Sequence, residues 1–168
     1  MLLPILTALP VILAADVKQS IAGTIWWRTQ GAAVIEPPDR HECMLYVYDA
    51  RIAIVFNFDK NGLTSVLVSD SIWSHLKEGA AVISLGTQTY TADSAVIAHD
   101  KNGIPLVNFT LQSVPPSKTQ LVDAQHIQIA AVNPSSPTFD FTLPHAKMPA
   151  LLTAVTECQQ LVPSTPRD

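Results

Sequence analysis

Charged side chains are scarce in this chain of 168 residues. Asp, Glu, Lys and Arg make up 14% of it, and ten basic residues stand against fourteen acidic ones, for a net charge of −4. No basic footprint is therefore available to neutralise a phosphate backbone, and the composition argues against nucleic-acid binding. Hydrophobic residues reach 48%, which is enough to bury a core and excludes wholesale disorder.

The local motifs of common catalytic and metal sites are also missing. The chain has six glycines, and it contains no phosphate-binding glycine loop, no Gly-x-Ser-x-Gly elbow and no zinc-type pair of Cys or His. The histidines are scattered singly, and most aspartates flank turns, where carboxylates bond nearby backbone amides. His41 precedes Cys43 by two residues, but this spacing on an extended strand does not bring its imidazole to the Cys43 sulfur, so we expect no activated thiol. We therefore predict no catalytic residues, no metal ligands and no cofactor.

Long apolar runs are missing as well, since none reaches the roughly 20 residues that a bilayer span needs. Residues 1–15, MLLPILTALPVILAA, are uncharged and end in small residues, a pattern typical of a signal peptide. A buried opening strand or helix is the alternative. We expect no transmembrane span, a periplasmic or secreted location, one β-rich domain over residues 16–162 and a tail over residues 163–168.

Two cysteines occur, Cys43 and Cys158. An even number in an exported chain favours a disulfide, here closing a loop of roughly 115 residues. Two buried, unpaired thiols are the alternative that the sequence leaves open.

What the chain has in abundance is short segments rich in aromatic and β-branched residues, which fit a pleated, half-buried surface. Such predicted strands cover residues 43–48, 51–58, 63–68, 81–85, 90–98, 104–111, 126–129 and 139–143, with an earlier one around Trp26 and Trp27. Residues 71–79 read as a single helical turn closed by glycine. The last two strands alternate polar and apolar residues, so we expect one buried and one wet face.

One tetrapeptide, Asp-Lys-Asn-Gly, occurs twice, at residues 59–62 and 100–103. Asp opens a turn, and Gly supplies positive φ, so both copies predict hairpin tips. The residues after them also match at an offset of 41 positions, Leu63 with Ile104 and Val66 with Val107. An internal duplication would produce this match, but we favour two independent hairpins.

The end of the chain has a different period. Pro149 suits a first helical position, and Leu151, Leu152, Val155, Cys158 and Val162 form one apolar stripe of a helix that stops before Pro163. We predict a mainly β fold, an antiparallel sandwich or partly closed barrel with one C-terminal helix.

Five aromatic residues form the candidate binding surface: Trp26, Trp27, Tyr46, Tyr48 and Trp73. Aromatic side chains with a polar group favour contact surfaces. Packing in the core and on the sheet face is the alternative, and the one we favour. The sequon at Asn108 lies mid-strand, and we regard it as chance.

Several features follow the order found in a known group of small periplasmic proteins. They are an early cysteine, a strand pair, Trp73 followed by Gly79, the close Phe139-x-Phe141-x-Leu143, and a helix bearing Ala154 and Cys158. Over residues 43–160 the chain thus resembles the invasion-associated locus B family of proteobacteria. The resemblance implies an exported β-sandwich or barrel-like domain, and it transfers no catalytic residue.

The leading functional hypothesis is an exported, non-enzymatic β domain that binds a partner protein or a small ligand. It depends on the uncharged opening stretch, the acidic balance and the missing catalytic motifs. The first alternative is a hydrolase-type enzyme whose Asp and His groups are brought together from dispersed turns. The second is a structural or accessory envelope module.

Overall fold

A computed structural model describes residues 24–36, 42–49, 52–132 and 138–161, and only the backbone of residues 24–27 and 161. The predicted signal peptide and the predicted tail lie outside the described residues. Ten strands are described: β1 Thr24–Thr29, β2 Ala32–Glu36, β3 Cys43–Tyr48, β4 Ala53–Asp59, β5 Gly62–Ser69, β6 Gly79–Leu85, β7 Gln88–His99, β8 Pro105–Leu111, β9 His126–Ala131 and β10 Thr138–Thr142. The helices are α1 Lys118–Asp123 and α2 Met148–Leu161.

All ten strands belong to one antiparallel sheet, in the order β1-β2-β3-β4-β5-β8-β7-β6-β9-β10. The sheet curls into a half-barrel, so the predicted mainly β fold with a C-terminal helix is confirmed in its barrel-like form. Two connections depart from a simple meander, because β5 lies beside β8 and β6 lies beside β9. The second of these pairings brings three strands of the candidate site together.

The concave face of the sheet holds the main core. Trp73, Phe56 and Phe109 are among its largest buried side chains, and Trp73 packs against Phe109 with ring centroids 5.3 Å apart. Helix α2 adds the predicted stripe, of which Leu151, Leu152, Val155 and Cys158 are buried in this cluster; Val162 lies outside the described residues. Each large apolar side chain removed from water contributes about 1.5–3 kcal/mol, so this face supplies most of the driving force for folding.

Two links fasten α2 to the sheet. The first is a disulfide between Cys43 in β3 and Cys158 in α2, both fully buried. The second is a polar chain in which the Lys118 Nζ donates to Thr156 Oγ1 and to Gln159 Oε1, both at 2.6 Å, while Gln159 Nε2 donates to the carbonyl of Asp59. Burial lowers the pKa of the Lys118 ammonium, because partial desolvation disfavours its charge.

Both predicted hairpin tips are confirmed. The Asp59 carboxylate accepts from the amides of Asn61 and Gly62, and it closes the turn between β4 and β5. The Asp100 carboxylate accepts from the amides of Asn102 and Ile104 at 2.8 Å, between β7 and β8. These amide bonds, that of Ile104 above all, lower the pKa of the Asp100 carboxyl.

The predicted helical turn over residues 71–79 is shorter than expected. Only Ser71–Trp73 is helical, as a 3₁₀ turn in which the Ile72 amide donates to the carboxylate of the N-cap residue Asp70 at 2.9 Å. Gly79 does not close this turn, because it is the first residue of β6 and has a φ of 148°.

The convex face differs from one end of the sheet to the other. On β2–β5 it carries a second buried cluster, formed by Ala33, Ile35, Met44, Tyr46 and Val55 with Leu67 against it. Strands β3 and β4 are therefore buried on both faces, and the expectation of half-buried strands over residues 43–48 and 51–58 is wrong. On β10 the alternation is complete, with Phe139 and Phe141 buried and the other three residues exposed, as predicted.

Candidate functional site

Helix α1 places three polar residues at one end of the half-barrel. Its start is fixed by a capping box, in which the Ser117 Oγ accepts from the Gln120 amide and the Gln120 Oε1 accepts from the Ser117 amide. Leu121 and Ala124 are buried and anchor the helix and its exit to the core. Asp123 at the end of the helix, Gln125 after it and His126 at the start of β9 have exposed side chains.

Sheet register adds a polar row beside this entry. Ser84 in β6 is paired with Gln128 in β9, and Gln128 is paired with Asp140 in β10. Because neighbouring residues of a strand point to opposite faces, these three side chains share the convex face while Ile127, Ile129 and Phe139 fill the core beneath them. The buried residues thus fix the register that aligns the polar ones.

Asp140 is the centre of a hydrogen-bonded network. Gln128 Nε2 donates to Asp140 Oδ2 at 2.8 Å, and the His126 Nδ1 lies 3.2 Å from Asp140 Oδ1. The Gln128 bond, with a smaller effect of His126, lowers the pKa of the Asp140 carboxyl. The side chains of His126 and Asp140 are 52% and 49% exposed. Asp140 is therefore an ionised, oriented and accessible acceptor at neutral pH.

These residues line an open depression of about 490 Å³, whose walls are Ser84, Gly86, Asp123, Gln125, His126, Gln128 and Asp140. Two of the lining residues, Asp123 and Asp140, carry carboxylates. Among the described residues that line the depression, none is Lys or Arg. Carboxylate and amide oxygens accept hydrogen bonds. The depression is therefore suited to a ligand group that carries several N–H or O–H donors, and most of all to a cationic one.

Comparison of the chain with known proteins gives no match. The chain matches no family model, no curated protein and no solved structure. The resemblance to the invasion-associated locus B family therefore stays a prediction, and the chemistry of the depression has to be inferred from its own residues.

The contact between His126 and Asp140 joins an imidazole to a carboxylate 14 residues further along the chain. An imidazole oriented by a carboxylate is also a common arrangement in general base catalysis. Ser84 lies in the same depression, but no hydrogen bond joins its hydroxyl to His126 among the described residues. Within the same part of the chain, no group of three or more His, Cys, Asp and Glu side chains could hold a metal ion.

Of the five aromatic residues of the predicted binding surface, the structure describes the side chains of Tyr46, Tyr48 and Trp73, and two of these three are buried. Trp73 is 1% exposed and packs in the core, so it cannot contact a partner. Tyr46 is 7% exposed and belongs to the second buried cluster. Tyr48 is half-buried at the end of β3. The backbone of Trp26 and Trp27 lies in β1, and their side chains are outside the described residues.

The disulfide is structural. Cys43 and Cys158 are bonded to each other and fully buried, so neither sulfur is available as a nucleophile. The disulfide is consistent with an oxidising compartment. Among the described helices none is long and apolar enough to cross a membrane.

The sequence offered a partial signal for the residues of the depression. The patterns His126-x-Gln128 and Thr138-x-Asp140-x-Thr142 alternate with buried apolar residues, which already puts these polar side chains on the wet face. The sequence did not reveal that β9 pairs with both β6 and β10, because β6 and β9 are far apart in the chain. Without that pairing, Ser84, Gln128 and Asp140 could not be assigned to one site.

Proposed function

We propose that this chain is an exported, periplasmic or secreted, non-enzymatic β domain that binds a partner protein or ligand, and that the polar depression is its binding site. The observation that carries the proposal is the network around Asp140: a carboxylate held by Gln128 and His126 while half of its side chain stays in contact with water. A carboxylate oriented in this way meets a ligand without first losing conformational freedom.

The composition of the depression favours a cationic or donor-rich ligand group. Asp123 and Asp140 contribute two negative charges to the lining, and Gln125 and Gln128 contribute amide groups. An ammonium or guanidinium group would form charge-assisted hydrogen bonds with the carboxylates. The carboxylates would repel an anionic group, so they also select against anionic ligands.

Three features of the chain support export. The two cysteines form a disulfide, which persists in oxidising compartments and is rare in reducing ones. Residues 1–15 have the composition of a signal peptide. The resemblance to a family of periplasmic proteins points to the same location.

A titration of the ¹⁵N-labelled protein with n-butylammonium, compared with the uncharged n-butanol, tests the binding site. We expect the ammonium ion alone to shift the amide signals of residues 123–128 and 138–142. Asp140→Asn should weaken this response, whereas Asp93→Asn, the same change at an exposed position of β7 outside the depression, should leave it intact. Equal responses to the two probes, or none, would overturn the proposal.

The alternative of a hydrolase-type enzyme is favoured by one observation, the imidazole of His126 beside the carboxylate of Asp140 with Ser84 in the same depression. Hydrolysis of p-nitrophenyl acetate by the wild type and by His126→Ala and Ser84→Ala distinguishes the two functions. For a binding domain, we expect no turnover that depends on either side chain. Turnover in the wild type that both substitutions abolish would replace the binding proposal by the enzymatic one.

A further inference from the structure

The depression lies beside the last strand of the sheet that the described residues form. Strand β10 ends the strand order and is paired with β9 alone. Among the described residues, no backbone hydrogen bond outside that pairing involves residues 138–142. The outer edge of β10 therefore presents N–H and C=O groups in the spacing of a strand, which is a template for a further strand.

The side chains of β10 make this edge rigid and mark its register. Phe139 and Phe141 are buried with their rings stacked 6.4 Å apart, and they hold the strand against the core. Thr138, Asp140 and Thr142 are exposed on the other face, with the charge at the centre. A strand that pairs with this edge would therefore meet Asp140 at a fixed position on the side of the depression.

We propose that the partner is an extended peptide segment that adds to β10 as an eleventh strand and places a Lys or Arg side chain against Asp140. The proposal rests on the binding site proposed above and specifies its ligand. Paired strands lie about 4.8 Å apart, and directly opposed side chains have Cβ atoms about 5 Å apart. A basic side chain opposite Asp140 would thus reach its carboxylate without leaving the strand.

The charge at this edge selects among peptides. A short edge strand with a central charge resists pairing with apolar strands, because the pairing would bring the carboxylate next to an apolar side chain and take it out of water. A peptide with a basic residue at the matching position replaces that lost hydration by an ion pair. Asp123 increases the negative charge of the same depression and disfavours an acidic peptide.

The opposite end of the sheet is contacted by a helix. Helix α2 packs against β1 and β2, and the Lys147 Nζ donates to the carbonyl of Gln30 in the turn between them. The edge at β10 has no corresponding attachment among the described residues. Because Asp140 and the depression lie at the β10 edge, peptide addition is assigned to β10.

Three synthetic peptides of the length of β10 provide the test, each titrated into the ¹⁵N-labelled full chain. The first has alternating Thr and Val residues with a central Lys, the second has norleucine in place of Lys, and the third keeps Lys but carries N-methyl groups on the amides that would face β10. We expect the first to bind and to shift the amide signals of residues 138–142. The norleucine peptide should bind about 3-fold more weakly, and the N-methylated one about 10-fold more weakly, because it cannot complete the ladder.

A charge exchange serves as the matched control. Asp140→Lys is an exposed substitution, and with it a peptide carrying a central Glu should bind better than the Lys peptide does. Equal binding of the methylated and unmethylated peptides would overturn strand addition while leaving the cation site of the depression intact. Binding of n-butylammonium without binding of any peptide would have the same meaning. If neither probe binds, both this inference and the proposed function are wrong.

Discussion

Strands β3 and β10 belong to one sheet, but they meet water differently. Five of the six residues of β3 are buried, and its neighbours β2 and β4 are buried almost as completely on both faces. In β10 the exposed and buried residues alternate without exception. The first half of the sheet thus has apolar clusters on both faces, whereas the last two strands have a core on one face and a polar network on the other.

The difference shows where this fold can hold a polar site. A carboxylate placed among Met44, Tyr46 and Val55 would lose its hydration, which is costly without a partner. On β9 and β10 the outer face stays in water, so Gln128 and Asp140 keep their polarity at no such cost. The buried half supplies stability, and the alternating half supplies the surface on which recognition is possible.

The strongest test of the buried half is removal of its covalent link to α2. The disulfide closes a loop with a sequence separation of 115 residues. Replacing both Cys43 and Cys158 by Ala should lower the free energy of unfolding by about 2–5 kcal/mol, since the unfolded chain regains the entropy of the open loop. Urea unfolding of the two proteins gives the value, and a loss below about 1 kcal/mol would show that packing alone holds α2 in place.

A reciprocal pair of substitutions tests the two outer faces directly. Val55→Thr places a hydroxyl group in the second buried cluster and should cost about 2 kcal/mol. Thr142→Val makes the opposite change on the exposed face of β10 and should change the stability by less than about 0.5 kcal/mol. Both values come from urea unfolding. Similar costs for the two would mean that the outer face of β3 and β4 is as wet as that of β10.

The contrast between the halves is only partly visible in the sequence. The alternation of residues 126–129 and 139–143 correctly predicted one buried face and one wet face. The strands over residues 43–48 and 51–58 were predicted as half-buried, although their continuous apolar runs are typical of strands that are covered on both faces. Local composition identified strands well, because propensity and turn residues are local properties.

The candidate site shows what local patterns do not reveal. His126, Gln128 and Asp140 were visible as outward-facing residues, but their meeting with Ser84 depends on the pairing of β6 with β9, which lie about a quarter of the chain apart. Trp73 follows the alternative that the sequence favoured for the aromatic residues, which is packing in the core. Trp73 is large and has a polar N–H group, yet it fills the core, because the area that an indole ring buries outweighs its one donor.

The two identical hairpin tips allow the halves to be compared with the local sequence held constant. A Cβ atom at Gly62, where φ is 138°, would lie 3.3 Å from Pro115 Cγ, whereas one at Gly103, where φ is 77°, would meet nothing within 4 Å. Gly62→Ala should therefore cost about 1.5 kcal/mol and Gly103→Ala about 1 kcal/mol, because both need positive φ and only the first also meets a neighbour. Thermal unfolding measures the difference. A larger cost for Gly103→Ala than for Gly62→Ala would show that Pro115 moves aside easily when a Cβ atom is added at Gly62.

The smallest effect concerns the charge of the alternating half. A lowered pKa means that Asp140 gives up its proton more readily in the folded chain than in the unfolded one. The ionised form of Asp140 therefore stabilises the fold at pH values above 3.8, the ordinary pKa of an aspartate. This stabilisation is lost as the pH falls through the lower pKa that Asp140 has in the folded chain. Because the side chain is 49% exposed, water screens the network, and we expect Asp140→Asn to cost less than about 1 kcal/mol at neutral pH.

Urea unfolding of wild type and Asp140→Asn at pH 7 and at about pH 2 checks this sign, since the difference in stability between the two proteins should become smaller as Asp140 takes up its proton. Asp93→Asn is the matched control, because Asp93 makes no side-chain hydrogen bond to the described residues and should show a smaller change between the two conditions. A difference between wild type and Asp140→Asn that is undiminished in acid would mean that shape, and not charge, holds Gln128 and His126 at Asp140. The polar network would then be a packing feature of β9 and β10, and its charge would remain available for a ligand without any contribution to the fold.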